Sequence, residues 1–282
     1  MESDKVFVAG ASGVLGLEIV KLLSEKKIPI RVITSSEEGE KKLSPYPNGI
    51  WQADVSFQSA ELKNINKDIS FVISAMGKNL SFFSSSYNSF YETDFKANKN
   101  ILEDAVKNKV KKFIYISIKG ADISEDYTIP KALKLFEEEL IASGLNYTFF
   151  RPVGLYSCLD DPAIMEKRKV IPIVGSGNAR TNSIHQTDLA EVVVKHLHEE
   201  PNIIEVGGPL IHTRMEMAEM IKEKIGAQII KVPKNVPEIG FAIPKFFSNN
   251  LGDKLDSFNF ITTHDMIAEN MGQLHLRNIW KA

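Results

Sequence analysis

The chain is short of cysteine and of tryptophan, and it has no excess of charge of either sign. Each scarcity excludes something. The single cysteine among 282 residues, Cys158, cannot close an intramolecular disulfide. Its surroundings, "LYSCLDD", hold no second thiol for a metal, so it reads as a small, half-buried apolar side chain. A reducing compartment, the cytoplasm, is therefore the expected location. The formal net charge is −2, with lysine and arginine scattered along the chain, which leaves no basic footprint for nucleic acid. No run approaches the roughly 18 apolar residues of a membrane helix. The opening "MESDKVFV" lacks the basic and apolar regions of a secretory signal. Six scattered histidines show no HExxH or comparable spacing, so no metal site is expected. Internal repeats and low-complexity segments are absent; "FFSSSYNSF" is a small serine cluster that reads as a loop.

What is present is a rhythm. Short runs rich in Val, Ile and Phe ("KVFVAG", "IPIRVIT", "ISFVISAMG", "KKFIYIS", "NYTFFRP") have the composition of strands buried on both faces. Between them lie amphipathic stretches such as "YETDFKANKNILEDAVKNK", where Ile101, Leu102, Ala105 and Val106 share one helical face. Alternating strands and helices predict βαβ units. Right-handed crossovers then give an α/β fold of the Rossmann type, a doubly wound parallel sheet. We read residues 1–155 as this core and 156–282 as a smaller C-terminal substrate region, interwoven with it where a strand near 203–207 rejoins the sheet. In that region "TRMEMAEMIKEKIG" predicts a helix with a Thr213/Glu216 capping box. "VGSGNAR" reads as a hairpin turn or a substrate lip. The proline- and aromatic-rich last fifty residues read as short helices over one end of the sheet.

In the first unit, strand Lys5–Ala9 runs into Gly10, Gly13 and Gly16, and helix Leu15–Leu23 follows. A glycine-rich strand-to-helix turn suits a dinucleotide. The first glycine makes the turn, the second admits the pyrophosphate and the third lets helix and strand pack. The unpaired N–H groups of the helix then face the phosphates. The cradle comprises Gly10, Ser12, Gly13, Val14, Leu15 and Gly16. The second strand ends in Thr34, Ser35 and Ser36 rather than an acid, with Glu37 and Glu38 just beyond. Hydroxyls there can bind a 2′-phosphate, with Lys41 or Lys42 nearby, which favours NADP(H) over NAD(H). The alternative is that the serine pair begins a turn and the acids reach back. Asp54 and Val55, after the third strand, are candidates for the adenine; an ordinary loop-start aspartate is the other reading.

Taken in order, "FVAGASGVLG", "DFKANKNILEDAVKNKVKKFIYIS", "ASGLNYTFFRPVGLY", "NSIHQTDLAEVVV" and "IEVGGP" resemble the atypical short-chain dehydrogenase/reductase superfamily. Within it they are most similar to the NmrA-like, divinyl-chlorophyllide-reductase-like and isoflavone-reductase-like NAD(P)-binding proteins. The resemblance implies that Ser74, Ala75, Met76, Gly77 and Lys78 lie along the cofactor and that Arg151, Pro152 and Val153 lie near the nicotinamide. Many relatives reduce a carbonyl or a conjugated double bond. In the wider superfamily a serine holds the substrate oxygen, a tyrosine gives a proton, and a lysine four residues on lowers the tyrosine pKa. Ser117 matches the serine, and Tyr127 with Lys131 makes a literal YxxxK.

Pro130 inside that motif disfavours helix at Ile129, and relatives carry their lysine where this chain has Leu133, flanked by Lys131 and Lys134. We therefore expect a helix to begin within two residues of Pro130, with the proline at its first position and Tyr127 outside it, away from a cofactor ribose. His185, before Thr187 as a candidate N-cap, reads as part of a segment that anchors the C-terminal region. Two functions remain open: an NADP(H)-dependent oxidoreductase acting on a small carbonyl or conjugated substrate, and a non-catalytic NAD(P)-binding redox sensor or assembly factor that acts through a protein partner.

Overall fold

A computed structural model describes residues 4–46, 50–52, 62–77, 91–123, 126–156, 169–232, 256 and 259–276. Strand β1 (Val6–Ala9) leads into helix α1 (Val14–Glu25), then β2 (Ile30–Thr34), α2 (Glu37–Leu43), β3 (Ile50–Gln52) and β4 (Phe71–Ser74). One π-helical turn, Tyr91–Lys96, runs directly into α3 (Ala97–Lys107). Strand β5 (Lys112–Ile116), α4 (Thr128–Ala142) and β6 (Asn146–Pro152) complete the first half. The second half holds β7 (Val170–Val174), β8 (Arg180–Thr181), α5 (Gln186–Lys195), β9 (Ile203–Val206), β10 (His212–Thr213), α6 (Arg214–Ile225) and β11 (Gln228–Val232).

Seven strands form one parallel sheet in the order β3-β2-β1-β4-β5-β6-β9. Side chains alternate across it, as strand geometry requires. Val6 and Val8 face a core with α1 and α5, whereas Phe7 and Ala9 face a core with α3 and α4. Both faces are therefore dry, and Phe113, Phe136, Phe149 and Phe150 are buried completely or almost so, each contributing about 1.5–3 kcal/mol. The strand order reverses between β1 and β4. In an open α/β sheet that switch point opens a crevice outside the carboxyl ends of the strands.

The "VGSGNAR" segment is not a hairpin. β7 pairs in parallel with β11 and β8 antiparallel with β10, so its two ends enter different small sheets. Its backbone serves α6 instead: the carbonyls of Gly177 and Ala179 accept from the N–H groups of Met215 and Arg214. The Thr213/Glu216 capping box completes that helix start.

"NSIHQTDLA" and "VGGP" form a latch. Asn182 Oδ1 accepts from Ala268 N at 3.0 Å, and its Nδ2 donates to Gly208 O and Ala268 O. A Cβ on Gly207 would lie 2.1 Å from the Asn182 amide nitrogen, so the side chain fits only against glycine. His185, not Thr187, is the N-cap of α5; its Nδ1 accepts from Thr187 N, while the Thr187 hydroxyl donates to Glu18 on α1. Buried Asp188 accepts from the amides of Gln273 and Leu274, each at 2.8 Å. Asp188→Ala removes the acceptor of two amides at once and is expected to cost about 2 kcal/mol. Hydrogen exchange at Gln273 and Leu274 checks this. Unchanged protection there would mean that packing alone holds the segment.

Candidate functional site

The glycine turn occupies the switch point. Gly10 has φ +74°, and a Cβ there would lie 2.6 Å from the Ala75 carbonyl oxygen at the end of β4. A Cβ on Gly16 would lie 2.1 Å from Gly10 O, so this glycine lets α1 sit directly on the turn. Gly13 is looser: a Cβ would be 3.2 Å from Gly10 O, and the residue is exposed. It is also the N-cap of α1, with no side chain to cap and no acid in the first turn after it. The first-turn amides thus keep their capacity for an anion, with Gly13 and Val14 exposed beside them. The Leu15 side chain is buried and anchors the helix, which leaves its backbone amide in the first turn.

Around this turn, the end of β2 is tightly packed. Thr34 is buried, and a Cβ on Gly39 would strike its hydroxyl at 2.0 Å and meet Ser12 at 3.1 Å. Ser36 is the N-cap of α2, accepting from Gly39 N at 3.0 Å, so its hydroxyl is committed to the helix. Ser35 beside it is exposed. Glu38 does not reach back to the turn; it pairs along α2 with Lys42 at 2.8 Å. Asp54, Val55 and Lys78 lie outside the described residues, as does Cys158.

After β4, buried Ser74 bonds to Asn98 Oδ1 at 2.5 Å, and Asn98 Nδ2 donates to Asp94 O at 2.8 Å. Residues Ala75, Met76 and Gly77 continue from there, and a Cβ on Gly77 would lie 2.9 Å from Asp94 Oδ1. The π-helical turn thus sits against the floor of the crevice. Sequence reasoning missed Asn98. The signal was an amide on the same helical face as Ile101, Leu102 and Ala105, where a polar group needs a reason.

Ser117 follows β5. Its N–H donates to Phe150 O, the residue is 6% exposed, and its hydroxyl has no hydrogen-bond partner among the described residues. Val153, after β6, is fully buried against Phe260 and Met266. Arg151 turns elsewhere. Its Nε and one terminal nitrogen meet both carboxylate oxygens of buried Glu137, at 3.0 and 2.6 Å, and the other meets Asp122 at 2.8 Å. Burial works against its charge, but the Glu137 bonds and the charges of Glu137 and Asp122 outweigh it and raise its pKa. Its side chain ties β6 to α4, with Pro152 and Val153 carrying the chain on toward the crevice.

Helix α4 begins at Thr128, so Pro130 is its third residue rather than its first. Its missing N–H still falls in the first turn, where no intrahelical partner exists. The Thr128 amide is capped from outside, by Asp256 at 2.7 Å. Tyr127 is the N-cap residue, in extended conformation, with its ring against Phe260 (5.1 Å between centroids) and His264 (5.4 Å, edge-on). Burial, helped by Asp256 and Asp126, raises its pKa. A neighbouring ammonium would lower it. Lys131 is exposed, Lys134 reaches toward Glu138 at 3.9 Å, and Leu133 is buried in the core. Another phenol, Tyr115, is wholly buried, and desolvation pushes its pKa far up. An open cleft of about 660 Å³ along α6, lined in part by Met215, Glu219 and Met220, shares none of these residues. No cluster of His, Cys, Asp or Glu among the described residues could hold a metal, and no helix among them is long and apolar enough to cross a membrane.

A parallel sheet with a glycine turn at its switch point and an uncapped helix start defines a dinucleotide-binding protein. The chain belongs to the NAD(P)H-binding family, whose pattern matches residues 10–200. It is 29% identical over 110 residues to the photosystem II assembly factor Ycf39 of Cyanidium caldarium, covering 38% of this chain and 35% of that protein. It is 29% identical over 181 residues to Protein TIC 62, chloroplastic, of Arabidopsis thaliana, covering 55% of this chain and 28% of that protein. The chain thus spans about a third of these relatives' lengths. The NADPH-dependent quinone oxidoreductase QOR2 of Escherichia coli, solved with NADPH, shares the fold: TM-score 0.76 at 18% identity, covering 98% of each chain.

Proposed function

We propose that this protein is an NADP(H)-dependent oxidoreductase that reduces a small carbonyl or conjugated double bond. In this reading residues 1–155 bind the cofactor and residues 156–282 shape the substrate side. The glycine turn fits a pyrophosphate because the start of α1 has no side-chain cap and Gly13 and Val14 are exposed beside its free amides, while Gly10 and Gly16 let β4 and α1 close on the turn. Gly10, Ser12, Gly13, Val14, Leu15 and Gly16 would hold that group. Thr34, Ser35 and Ser36 would face the 2′-phosphate, with exposed Ser35 the member best able to bond it. Asp54 and Val55 would serve the adenine, Ser74 to Lys78 would lie along the cofactor, and Arg151 to Val153 would lie near the nicotinamide, Arg151 through its backbone. Bound NADPH supplies the hydride.

What the chain supplies is orientation and a hydrogen bond. An acceptor oxygen that gains charge needs a donor, and the buried, unpartnered hydroxyl of Ser117 is the single observation that carries the reading. Tyr127 packs on Phe260 and His264 and Lys131 is exposed, so we assign Tyr127 to the pocket wall, and the proton that completes the reduction comes from solvent. The NADPH-dependent quinone reduction of the QOR2 neighbour supports a conjugated acceptor.

The test is NADPH oxidation with a set of quinones and enones. Ser117→Ala is expected to lower kcat/KM by about a hundredfold, whereas Tyr127→Phe, which keeps the ring stack, lowers it far less. Full activity in Ser117→Ala, or a hundredfold loss in Tyr127→Phe, sinks the assignment. The Ycf39 and TIC 62 similarity favours a second reading, a cofactor-bound assembly factor or redox sensor for a protein partner. NADPH binding without turnover of any acceptor would support it. Under either reading we place the protein in a reducing compartment, cytoplasmic or equivalent.

A further inference from the structure

Two arginines are equally buried, and among the described residues carboxylates balance one of them. Arg151 and Arg214 are each 5% exposed. The Arg151 guanidinium is matched by two carboxylates. Arg214, the first residue of α6, donates to the Ile261 carbonyl at 2.6 Å, while its Nε is buried with no partner and no carboxylate among the described residues pairs with it. Burial alone pulls its pKa down to about 10. It also stands at a helix N-terminus, where the macrodipole opposes a cation. A buried cation without a counter-charge destabilises a fold unless something supplies the missing anion.

Its position says what that something faces. Ile261 lies in the helical turn over residues 259–263, and the adjacent Phe260 packs on Tyr127 and Val153, which cover the carboxyl end of the sheet beside β6. The carbonyls of Gly177 and Ala179 fix the backbone of the first turn of α6, and the Ile261 carbonyl together with burial holds the guanidinium away from solvent. We infer that Arg214 is the anion-recognising group of the substrate pocket, and that the acceptor carries a carboxylate or a similar oxyanion beside its reducible group. The inference rests on the reductase reading above for the identity of the ligand, but not for the existence of the anion site.

The experiment compares naphthoquinone with naphthoquinone sulfonate as acceptors, in the full chain and in Arg214→Met. The wild type should favour the sulfonate, and the ratio of the two kcat/KM values should fall about tenfold in the variant. Naphthalene sulfonate, which cannot be reduced, should raise the Tm of the wild type and not that of the variant. If neither quinone is turned over, the reductase reading falls, and the naphthalene sulfonate shift alone decides the anion site. An unchanged ratio, or a sulfonate shift that is equal or absent in both proteins, overturns the inference. Loss of NADPH stabilisation in place of sulfonate binding also overturns it, because the anion would then be the cofactor's phosphate. Should Arg214→Met not fold, Arg214→Gln, which keeps a donor for the Ile261 carbonyl without the charge, is read by the same criteria.

Discussion

Gly10→Ala is expected to abolish the thermal stabilisation that NADPH confers. A ligand at 100 times its dissociation constant stabilises the folded state by about 2.7 kcal/mol, and that increment should vanish. Two costs combine in the variant. The left-handed backbone at φ +74° costs a side chain about 1–2 kcal/mol. The new Cβ would also lie 2.6 Å from Ala75 O and 2.8 Å from Met76 N, so either the turn or the end of β4 must shift. Both flank the crevice. Gly13→Val behaves differently, because its Cβ meets only Gly10 O at 3.2 Å; it should fold as the wild type does and lose affinity by obstructing the phosphate. Thermal unfolding with and without NADPH and NADH measures all of this, and the wild type should respond more strongly to NADPH. Stabilisation of Gly10→Ala equal to the wild type would show that the cofactor does not use this turn.

Glu137→Ala is expected to cost about 3–5 kcal/mol, the largest effect of any single substitution away from the crevice. It leaves the buried Arg151 guanidinium with Asp122 alone, whose side chain is 51% exposed. The charge cannot be relieved by deprotonation, since a guanidinium stays protonated at any ordinary pH. Asp122→Ala, by contrast, removes a partner that water can replace and should cost no more than about 1 kcal/mol. The double variant Glu137→Leu/Arg151→Met removes both buried charges and should recover most of the loss. Urea denaturation of the wild type, Glu137→Leu, Arg151→Met and the double variant gives the cycle, with Glu137→Ala and Asp122→Ala measured beside it. A cost below 1 kcal/mol for Glu137→Ala would mean that water reaches the pair.

The Arg151 pair also marks where a sequence stops being legible. A buried arginine on a strand reads equally as a ligand contact or as a strut. Its partner Glu137 sits fourteen residues back on a helix whose charged residues look like an exposed face. Asn98 was similarly hidden: nothing local says that its amide joins Ser74 to the carbonyl of Asp94. Asp256 at the start of α4 and Asp188 at Gln273 and Leu274 make contacts 128 and about 85 residues apart in the chain, and no periodicity encodes such distances. His185 and the "VGSGNAR" segment show the same limit at short range. Which residue caps α5, and which helix the glycine turn serves, depended on neighbours brought in from elsewhere.

Local physics carried the rest. The apolar strand runs, the helical face of Ile101, Leu102 and Ala105, and the glycine spacing between β1 and α1 follow from backbone sterics and side-chain periodicity within a few residues. By itself the sequence therefore determined the doubly wound parallel sheet, the dinucleotide turn and the start of α4 near Pro130. Tertiary structure alone decided that, among the described residues, carboxylates balance Arg151 and not Arg214, that the Ser117 hydroxyl has no partner there, and that Tyr127 joins an aromatic cluster with Phe260 and His264. Each is a question of which charge or hydrogen-bond capacity remains unmatched once distant segments are packed together, and only the packed chain answers it.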